Sequence, residues 1–226
     1  MSEPAHSPEK ARVLVVDDHP LLREGLVQML GRQPDLSACS EADSISSAEA
    51  AIARDKPDVL VLDLRLGSGD PLDFIKSLRA RYENLRILVL SQHDETIFAE
   101  RCLAAGADGY ITKQEAPQEV LSAIRMVLQG EVYISRKVAV LMFRQGLHAR
   151  EKQEGASIAS LSDRELHVFQ LIGAGMSCRD IAVESNLSIK TVETHRENIK
   201  HKLALDSSAA LAERARAWVG GWRSSR

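Results

Sequence analysis

Residues 59–66 have the sequence VLVLDLRL, in which four apolar residues lead into the acid Asp63. Short runs of the same β-rich character recur along the first half of the chain, and we predict strands at 13–16, 36–39, 59–62, 87–90 and 109–111. Between them apolar residues recur every three or four positions, which predicts helices near 20–31, 45–54, 71–81, 95–105 and 116–129. Nearly continuously apolar strands that alternate with helices favour a doubly wound α/β domain on a five-stranded parallel sheet.

The composition is typical of a soluble globular protein, since 44% of the 226 residues are hydrophobic and 27% are charged. The length suits two domains better than one. No apolar run approaches the roughly 18 residues needed to cross a bilayer, and the start lacks a signal-peptide pattern. We therefore expect a cytoplasmic protein with no membrane partner. Cys39, Cys102 and Cys178 are odd in number and form no CxxC pair, which predicts reduced thiols rather than disulfides or a zinc site.

Chemically active side chains lie at the ends of four predicted strands, namely Asp17, Asp18, Asp63, Ser91 and Lys113. Because the carboxyl ends of parallel strands meet at one edge of a sheet, we expect these residues to lie together. Three carboxylates repel one another, and Mg²⁺ prefers a few carboxylates with waters and a phosphate oxygen. A carboxylate nucleophile, a metal, a hydroxyl and a cation are the groups that phosphoryl transfer to an aspartate needs. The alternative is that these residues are ordinary solvated loop residues or helix caps. That alternative explains a single acid at a strand end better than it explains five such residues at four strand ends.

Four segments resemble those of response-regulator receiver domains: VLVVDDHP (13–20), VLVLDLRL (59–66), ILVLSQHD (87–94) and ADGYITK (107–113). The likeness covers residues 11–130 and implies a flavodoxin-like fold in which Asp63 accepts phosphate from a sensor histidine kinase. The Mg²⁺ ligands that it implies are Asp17, Asp18, Asp63 and the backbone carbonyl of Arg65. It also implies that Lys113 and Ser91 contact the phosphoryl group. Tyr110 matches the aromatic residue that changes rotamer on activation, with a packing aromatic as the alternative.

The loop after Asp63 departs from the family pattern. Gly67 stands where the family usually has proline, and Pro71 stands where it usually has glycine. Phosphate acceptance should survive because the five chemical residues are present. The lifetime of the phosphate is left open, since the loop's flexibility differs and since Arg65 and His93 flank the site where water would enter.

After Gly130 the pattern loosens, and residues 144–160, RQGLHAREKQEGASIAS, are polar and without periodicity, which predicts a linker. From Leu161 onward the pattern is helical. Ser162 and Glu165 form a capping-box signature that opens the first helix. Three further helices are predicted at Ser177–Glu184, Ser188–Leu203 and Ser207–Trp218.

The helix that begins at Ser177 ends near Ser185, a tight turn at Asn186 and Leu187 follows, and Ser188 caps the next helix, which is helix-turn-helix spacing. On a helical projection Val192, Ile199 and Leu203 face inward, and the opposite face is polar and bordered by cations. Such a face suits the major groove of double-stranded DNA, although an ordinary amphipathic surface helix looks similar. The predicted DNA-contacting residues are Lys190, Thr191, Glu193, Thr194, His195, Arg196, Glu197, Lys200 and Lys202.

The segments LSDRELHVFQLI (161–172), GMSCRDIA (175–182) and KTVETHRENIKHKL (190–203) resemble the LuxR-type domain of NarL/FixJ regulators. This resemblance implies a small all-α domain of four helices that binds promoter DNA as a homodimer, with RNA polymerase as a candidate partner. Its last helix would supply a dimer surface, in which Leu211, Ala215 and Trp218 either take part or form core. We therefore divide the chain into a receiver domain at 10–130, a linker region at 131–158 and a helix-turn-helix domain at 159–222.

The sequence thus predicts a two-component response regulator that performs no enzymatic chemistry beyond its own phosphorylation. An aspartyl-phosphate phosphatase or mutase is the first alternative, but Asp63-Leu64-Arg65 lacks the second acid two residues on that such enzymes usually carry. An RNA-binding or protein-binding output is the second. Charge does not decide between them: residues 1–150 hold 18 basic and 22 acidic residues, or −4, and residues 151–226 hold 11 and 10, or +1.

Overall fold

The computed structural model describes residues 10–66, 69–92, 95–115, 117–147 and 157–221. Its five strands are β1 (Ala11–Val16), β2 (Leu36–Ala42), β3 (Val59–Leu62), β4 (Arg86–Ser91) and β5 (Gly109–Thr112). They form one parallel sheet in the order β2-β1-β3-β4-β5. Strand β2 therefore lies on one side of β1, and β3, β4 and β5 lie on the other. The carboxyl ends of β1 and β3 lie side by side.

Helices cover both faces of the sheet: α1 (Pro20–Gly31), α2 (Ile45–Asp55), α3 (Pro71–Arg81), α4 (Glu95–Ala105) and α5 (Pro117–Leu128). Along β3 the side chains alternate between these layers, because successive residues of a strand point to opposite faces. Val59 and Val61 pack with the apolar residues of α1 and α5, whereas Leu60 and Leu62 pack with those of α2, α3 and α4. This burial on both faces explains the continuous apolar run, and the predicted doubly wound α/β architecture is confirmed.

The region between the domains is more ordered than the sequence indicated. Helix α6 (Arg136–Leu147) follows the α/β domain and packs on α4, with Val138 buried. A 3₁₀ helix, Ile158–Ser160, leads into the next domain, and its Ile158 is buried. Both ends of the predicted 144–160 linker are therefore helical, up to Leu147 in α6 and from Ile158 in the 3₁₀ helix, and the division of the chain into domains stays a prediction. Residues 148–156 lie outside the described part of the chain.

The carboxyl-terminal domain consists of α7 (Asp163–Gly173), α8 (Cys178–Glu184), α9 (Ile189–Lys202) and α10 (Ser208–Gly221). Serine side chains cap the first three: Ser162 and Ser177 form capping boxes with Glu165 and Asp180, and Ser188 accepts from the backbone N–H of Thr191. Asn186 adopts a left-handed conformation, φ 52°, in the turn between α8 and α9. The four-helix fold predicted from the sequence is confirmed.

Helix α10 contributes its apolar residues to the core of this domain. Leu211 and Ala215 are fully buried, and Trp218 packs against Phe169 at a ring-centroid distance of 5.4 Å. Gly173 makes a close crossing of α7 and α10 possible, because a Cβ there would lie 2.5 Å from the carbonyl oxygen of Ala215. Of the two roles considered for Leu211 and Ala215, the structure supports core.

Two further expectations concern the chain as a whole. The thiols of Cys39, Cys102 and Cys178 are free, as predicted. Among the described residues no helix combines the length and the apolar character that a bilayer crossing requires.

Candidate functional site

The carboxyl edge of the sheet gathers the acidic site. Asp17 directly follows β1, Asp63 directly follows β3, and both side chains are almost completely buried. Lys113 reaches them from the loop after β5, and its Nζ lies 2.6 Å from Asp17 Oδ2 and 2.7 Å from Asp63 Oδ2. Ser91, the last residue of β4, is buried at the same edge of the sheet. The chain order of strands and loops thus brings together residues that lie up to 96 positions apart, from Asp17 to Lys113.

The surroundings of the Asp63 carboxyl would be stabilised by a bound cation. Burial raises the pKa of this carboxyl above its usual value, and the nearby charge of Asp17 adds to that effect. Lys113 and the backbone N–H of Arg65 act in the opposite direction without cancelling it. The Oδ1 atom of Asp63 is buried and has no hydrogen-bond partner among the described residues. A positive ion at this oxygen would stabilise the ionised carboxylate, which is the form that can act as a nucleophile.

Four residues could hold such an ion. Asp17, Asp18, His19 and Asp63 each offer a ligand atom, and these atoms all lie within 4.8 Å of one another. Three carboxylates with an orphaned oxygen form an oxygen-rich donor set, which fits Mg²⁺. The backbone N–H of Arg65 donates a hydrogen bond to the Asp63 carboxylate. That the backbone carbonyl of Arg65 is a metal ligand stays a prediction.

His19 and Arg23 also belong to this site, although neither was predicted from the sequence. The Nδ1 atom of His19 lies 2.6 Å from Asp18 Oδ1 and 3.1 Å from Asp17 Oδ1. Arg23 Nη1 donates to the backbone oxygen of Asp17 at 2.6 Å and so ties α1 to the acidic loop. The position of His19 directly after the acid pair was an available signal. Arg23 gave none, because its partners are a backbone atom and Glu41, which lies 18 positions away.

Tyr110 lies in the interior and is 2% exposed. It belongs to the same apolar cluster as Phe98 and Ala99 of α4. Strand β5, which carries Tyr110, packs on α4, the helix that follows Ser91. That Tyr110 changes rotamer stays a prediction. His93, Gly67 and Ser68 lie outside the described residues.

Helix α9 presents the predicted polar face to solvent. Val192, Ile199 and Leu203 are buried against the rest of the domain, as the projection indicated. The exposed residues of the opposite side are Lys190, Glu193, Thr194, Glu197, Asn198 and His201, with Thr191, His195, Arg196 and Lys200 partly exposed beside them. The helix therefore carries a continuous polar surface of suitable size for the major groove of DNA.

Two cations of α9 have partners within the domain. Lys200 lies 2.9 Å from Glu197, and the exposed Lys202 donates to Glu165 of α7 at 2.7 Å. Burial alone would raise the pKa of Glu165, but the contacts with Lys202 and Ser162 hold it below the usual value. Lys202 therefore has a structural role in addition to the DNA contact predicted for it.

Comparison with known proteins identifies both domains. Residues 13–125 match the family model described as response regulator receiver domain, and residues 159–215 match the model described as bacterial regulatory proteins, luxR family. The chain is a LuxR-type response regulator. The predicted two-component regulator with a DNA-binding domain is confirmed, and it belongs to a family of transcription regulators rather than enzymes.

Several relatives of this response regulator match it along almost its whole length. It is 33% identical to a nitrate/nitrite response regulator protein homolog of Haemophilus influenzae, with 89% of this chain and 94% of that protein covered. It is 31% identical to the DNA-binding transcriptional activator DevR/DosR of Mycobacterium tuberculosis, with 89% and 92% covered. RcsB of Salmonella enterica, solved bound to the promoter rprA with a phosphomimetic, shares the fold at a TM-score of 0.71 and 23% identity, covering 92% of this chain and 99% of that one.

Proposed function

We propose that this response regulator accepts a phosphoryl group on Asp63 from a sensor histidine kinase and then binds promoter DNA as a homodimer through α9. The observation that carries the proposal is the contact of Lys113 with both Asp63 and Asp17 at 2.6 to 2.7 Å. An ammonium held at a buried carboxylate neutralises the charge that a phosphoryl group brings. We place the encounter with the kinase in the cytoplasm, where the DNA lies, and keep RNA polymerase as a candidate partner.

In the proposed reaction a carboxylate oxygen of Asp63 attacks the phosphorus atom of the phosphohistidine. The phosphorus–nitrogen bond of the kinase breaks as the new oxygen–phosphorus bond forms, and the imidazole leaves with the electron pair. Lys113 stabilises the charge on the transferred oxygens, and the Ser91 hydroxyl donates a hydrogen bond to one of them. Asp17, Asp18 and Asp63, with the Arg65 carbonyl, would hold Mg²⁺, which supplies further neutralisation of the phosphoryl oxygens.

The DNA-binding part of the proposal rests on the exposed face of α9. Glu193, Glu197 and Asn198 would face base edges, while the cations on both borders would contact the phosphates. Phosphorylation would favour one arrangement of the Ser91 loop and shift the population towards a dimer. When one α9 of the dimer binds a DNA half-site, the α9 of the other subunit is held near the second half-site. Its effective concentration there is high, which raises the affinity of the dimer for DNA.

Metal binding gives a first test. Calorimetric titration with Mg²⁺ should show at least about tenfold weaker binding to Asp17→Asn, because one charged ligand is lost. Asp35→Asn is the matched control, since Asp35 pairs with Arg125 away from the acidic site. Equal Mg²⁺ affinity of Asp17→Asn and the parent would contradict the ligand assignment.

DNA binding gives a second test, which needs no known promoter. Arg196→Ala and Lys200→Ala should each weaken binding to duplex DNA of arbitrary sequence and lower the slope of log affinity against log salt by about 0.9 per lost phosphate contact. Arg81→Ala, on α3 and paired with Glu49, should change neither quantity. An unaltered salt slope in both variants would exclude these residues as phosphate contacts. It would favour an RNA-binding or protein-binding output.

A further inference from the structure

The imidazole of His19 is turned towards the acidic loop and not towards the helix that it precedes. His19 is the N-cap residue of α1, a position that favours side chains able to accept from the first backbone N–H groups of a helix. Its ring makes no such hydrogen bond. Its Nδ1 atom lies instead 2.6 Å from Asp18 Oδ1 and 3.1 Å from Asp17 Oδ1. Helix capping therefore does not account for a histidine at this position.

Backbone contacts hold the ring in this place. The N–H of His19 donates to Asp17 Oδ1 at 2.9 Å, across the short loop between β1 and α1. Pro20 begins α1 and restricts the residue before it to an extended conformation, which His19 adopts with φ −92° and ψ 104°. Arg23 ties the loop to α1, because its Nη1 donates to the backbone oxygen of Asp17 at 2.6 Å. The imidazole is therefore positioned beside the carboxylates before any ion arrives.

The ring adds a nitrogen atom to the oxygen-rich site. The ligand atoms of four side chains lie within 4.8 Å of one another, namely those of Asp17, Asp18, His19 and Asp63. Asp63 is 1% exposed, and its Oδ1 has no hydrogen-bond partner among the described residues. A buried oxygen of this kind normally has a donor or an ion beside it. The side chains of His19 and Asp18 are 45% and 38% exposed, so an ion can enter from solvent on their side.

A nitrogen ligand changes which ions such a set of side chains prefers. Mg²⁺ takes oxygen ligands and keeps several waters. Imidazole suits the later first-row transition metals, and Zn²⁺ in particular binds histidine together with carboxylates. In the part of the chain that the structure describes, this is the one group of three or more His, Cys, Asp or Glu residues close enough to share a metal ion. One imidazole beside three carboxylates therefore favours a transition metal more than the carboxylates alone would.

We propose that His19 is a nitrogen ligand at the acidic site and that it lets the site take a first-row transition metal ion in place of Mg²⁺. The inference rests on the proposed function, since the same carboxylates bind either ion. Binding would replace the contacts of the imidazole with Asp17 and Asp18 by bonds from these three side chains to the ion. The carboxylates thus provide the charge that attracts a divalent cation, and His19 decides which cation is preferred.

Calorimetric titration of the full, untagged chain with Co²⁺ and with Mg²⁺ tests the proposal. His19→Asn is a suitable variant because asparagine is favoured at a helix N-cap and offers an oxygen but no ring nitrogen. Its affinity for Co²⁺ should fall at least about tenfold, whereas its affinity for Mg²⁺ should change less than about threefold, because Mg²⁺ readily keeps a water in that position. His201→Asn is the matched control, since it removes an exposed imidazole of α9 outside the cluster, and it should bind both ions like the parent.

Proton NMR of the Co²⁺-loaded chain identifies the ligand directly. A cobalt-bound imidazole gives an exchangeable ring N–H resonance far outside the diamagnetic range. This resonance should be present in the parent and in His201→Asn and absent from His19→Asn. A Co²⁺ affinity of His19→Asn that falls no further than its Mg²⁺ affinity, or a parent without the shifted resonance, would overturn the role of His19 and leave the Mg²⁺ site of the proposed function intact. A parent that binds neither ion would overturn both.

Discussion

Asp63→Asn protein incubated with acetyl phosphate and Mg²⁺ should incorporate at least about a hundredfold less phosphate than the parent, because an amide cannot act as the nucleophile. The substitution keeps the size of the side chain. It also removes a like charge that lies beside Asp17, so the free energy of unfolding should not fall. Intact-protein mass spectrometry measures the incorporated phosphate, and circular dichroism checks the fold.

The control for this experiment is Asp55→Asn, which changes an acid that pairs with Arg54 at the end of α2. It should accept phosphate at the parental rate. Phosphate found on Asp63→Asn in parental amount would mean that another residue is the acceptor, and the role given to Lys113 would fail with it.

The acidic site could be predicted because few of its features depend on side-chain packing. Once β1, β3, β4 and β5 are recognised, the parallel topology alone brings the residues after them to one edge. The edge strand β2 was harder, since it was predicted at 36–39 and extends to Ala42. Its residues Ser40 and Glu41 are polar because an edge strand is only partly covered, and a search for apolar runs ends before them.

Contacts between distant residues could not be predicted. Nothing in the local pattern links Arg101 with Asp163, 62 positions apart, or Lys202 with Glu165. In the sequence Arg101, Asp163 and Lys202 are indistinguishable from solvated surface charges, and the capping-box pattern of Glu165 does not reveal its ion pair. The same holds for the contacts between the two domains, which depend on surface shape and not on periodicity. The helical projection of α9 succeeded because Val192, Ile199 and Leu203 lie on one stripe whichever neighbours bury it.

Gly173→Ala should lower the free energy of unfolding of the DNA-binding domain by about 3 kcal/mol, the upper part of the range for overpacking a core. An added Cβ at this position would lie 2.5 Å from the backbone oxygen of Ala215 and 2.6 Å from a methyl group of Val219. Backbone atoms cannot move aside as a flexible side chain can, so α10 must shift away from α7. Urea unfolding followed by tryptophan emission measures the loss.

Gly220→Ala makes the same chemical change in the same domain at a helical glycine with open space around its Cβ position. Alanine has the higher helix propensity, so this control should be neutral or stabilise the domain by up to about 1 kcal/mol. The difference between the two variants isolates the close crossing of α7 and α10 from the general effect of replacing glycine. Because Trp218 lies on the same helix and its ring stacks on Phe98 of α4 with 6.2 Å between centroids, a displaced α10 should also loosen this contact. Gly173→Ala should therefore emit at longer wavelength even before urea is added, and a parental spectrum with parental stability would show that the two helices can separate without cost.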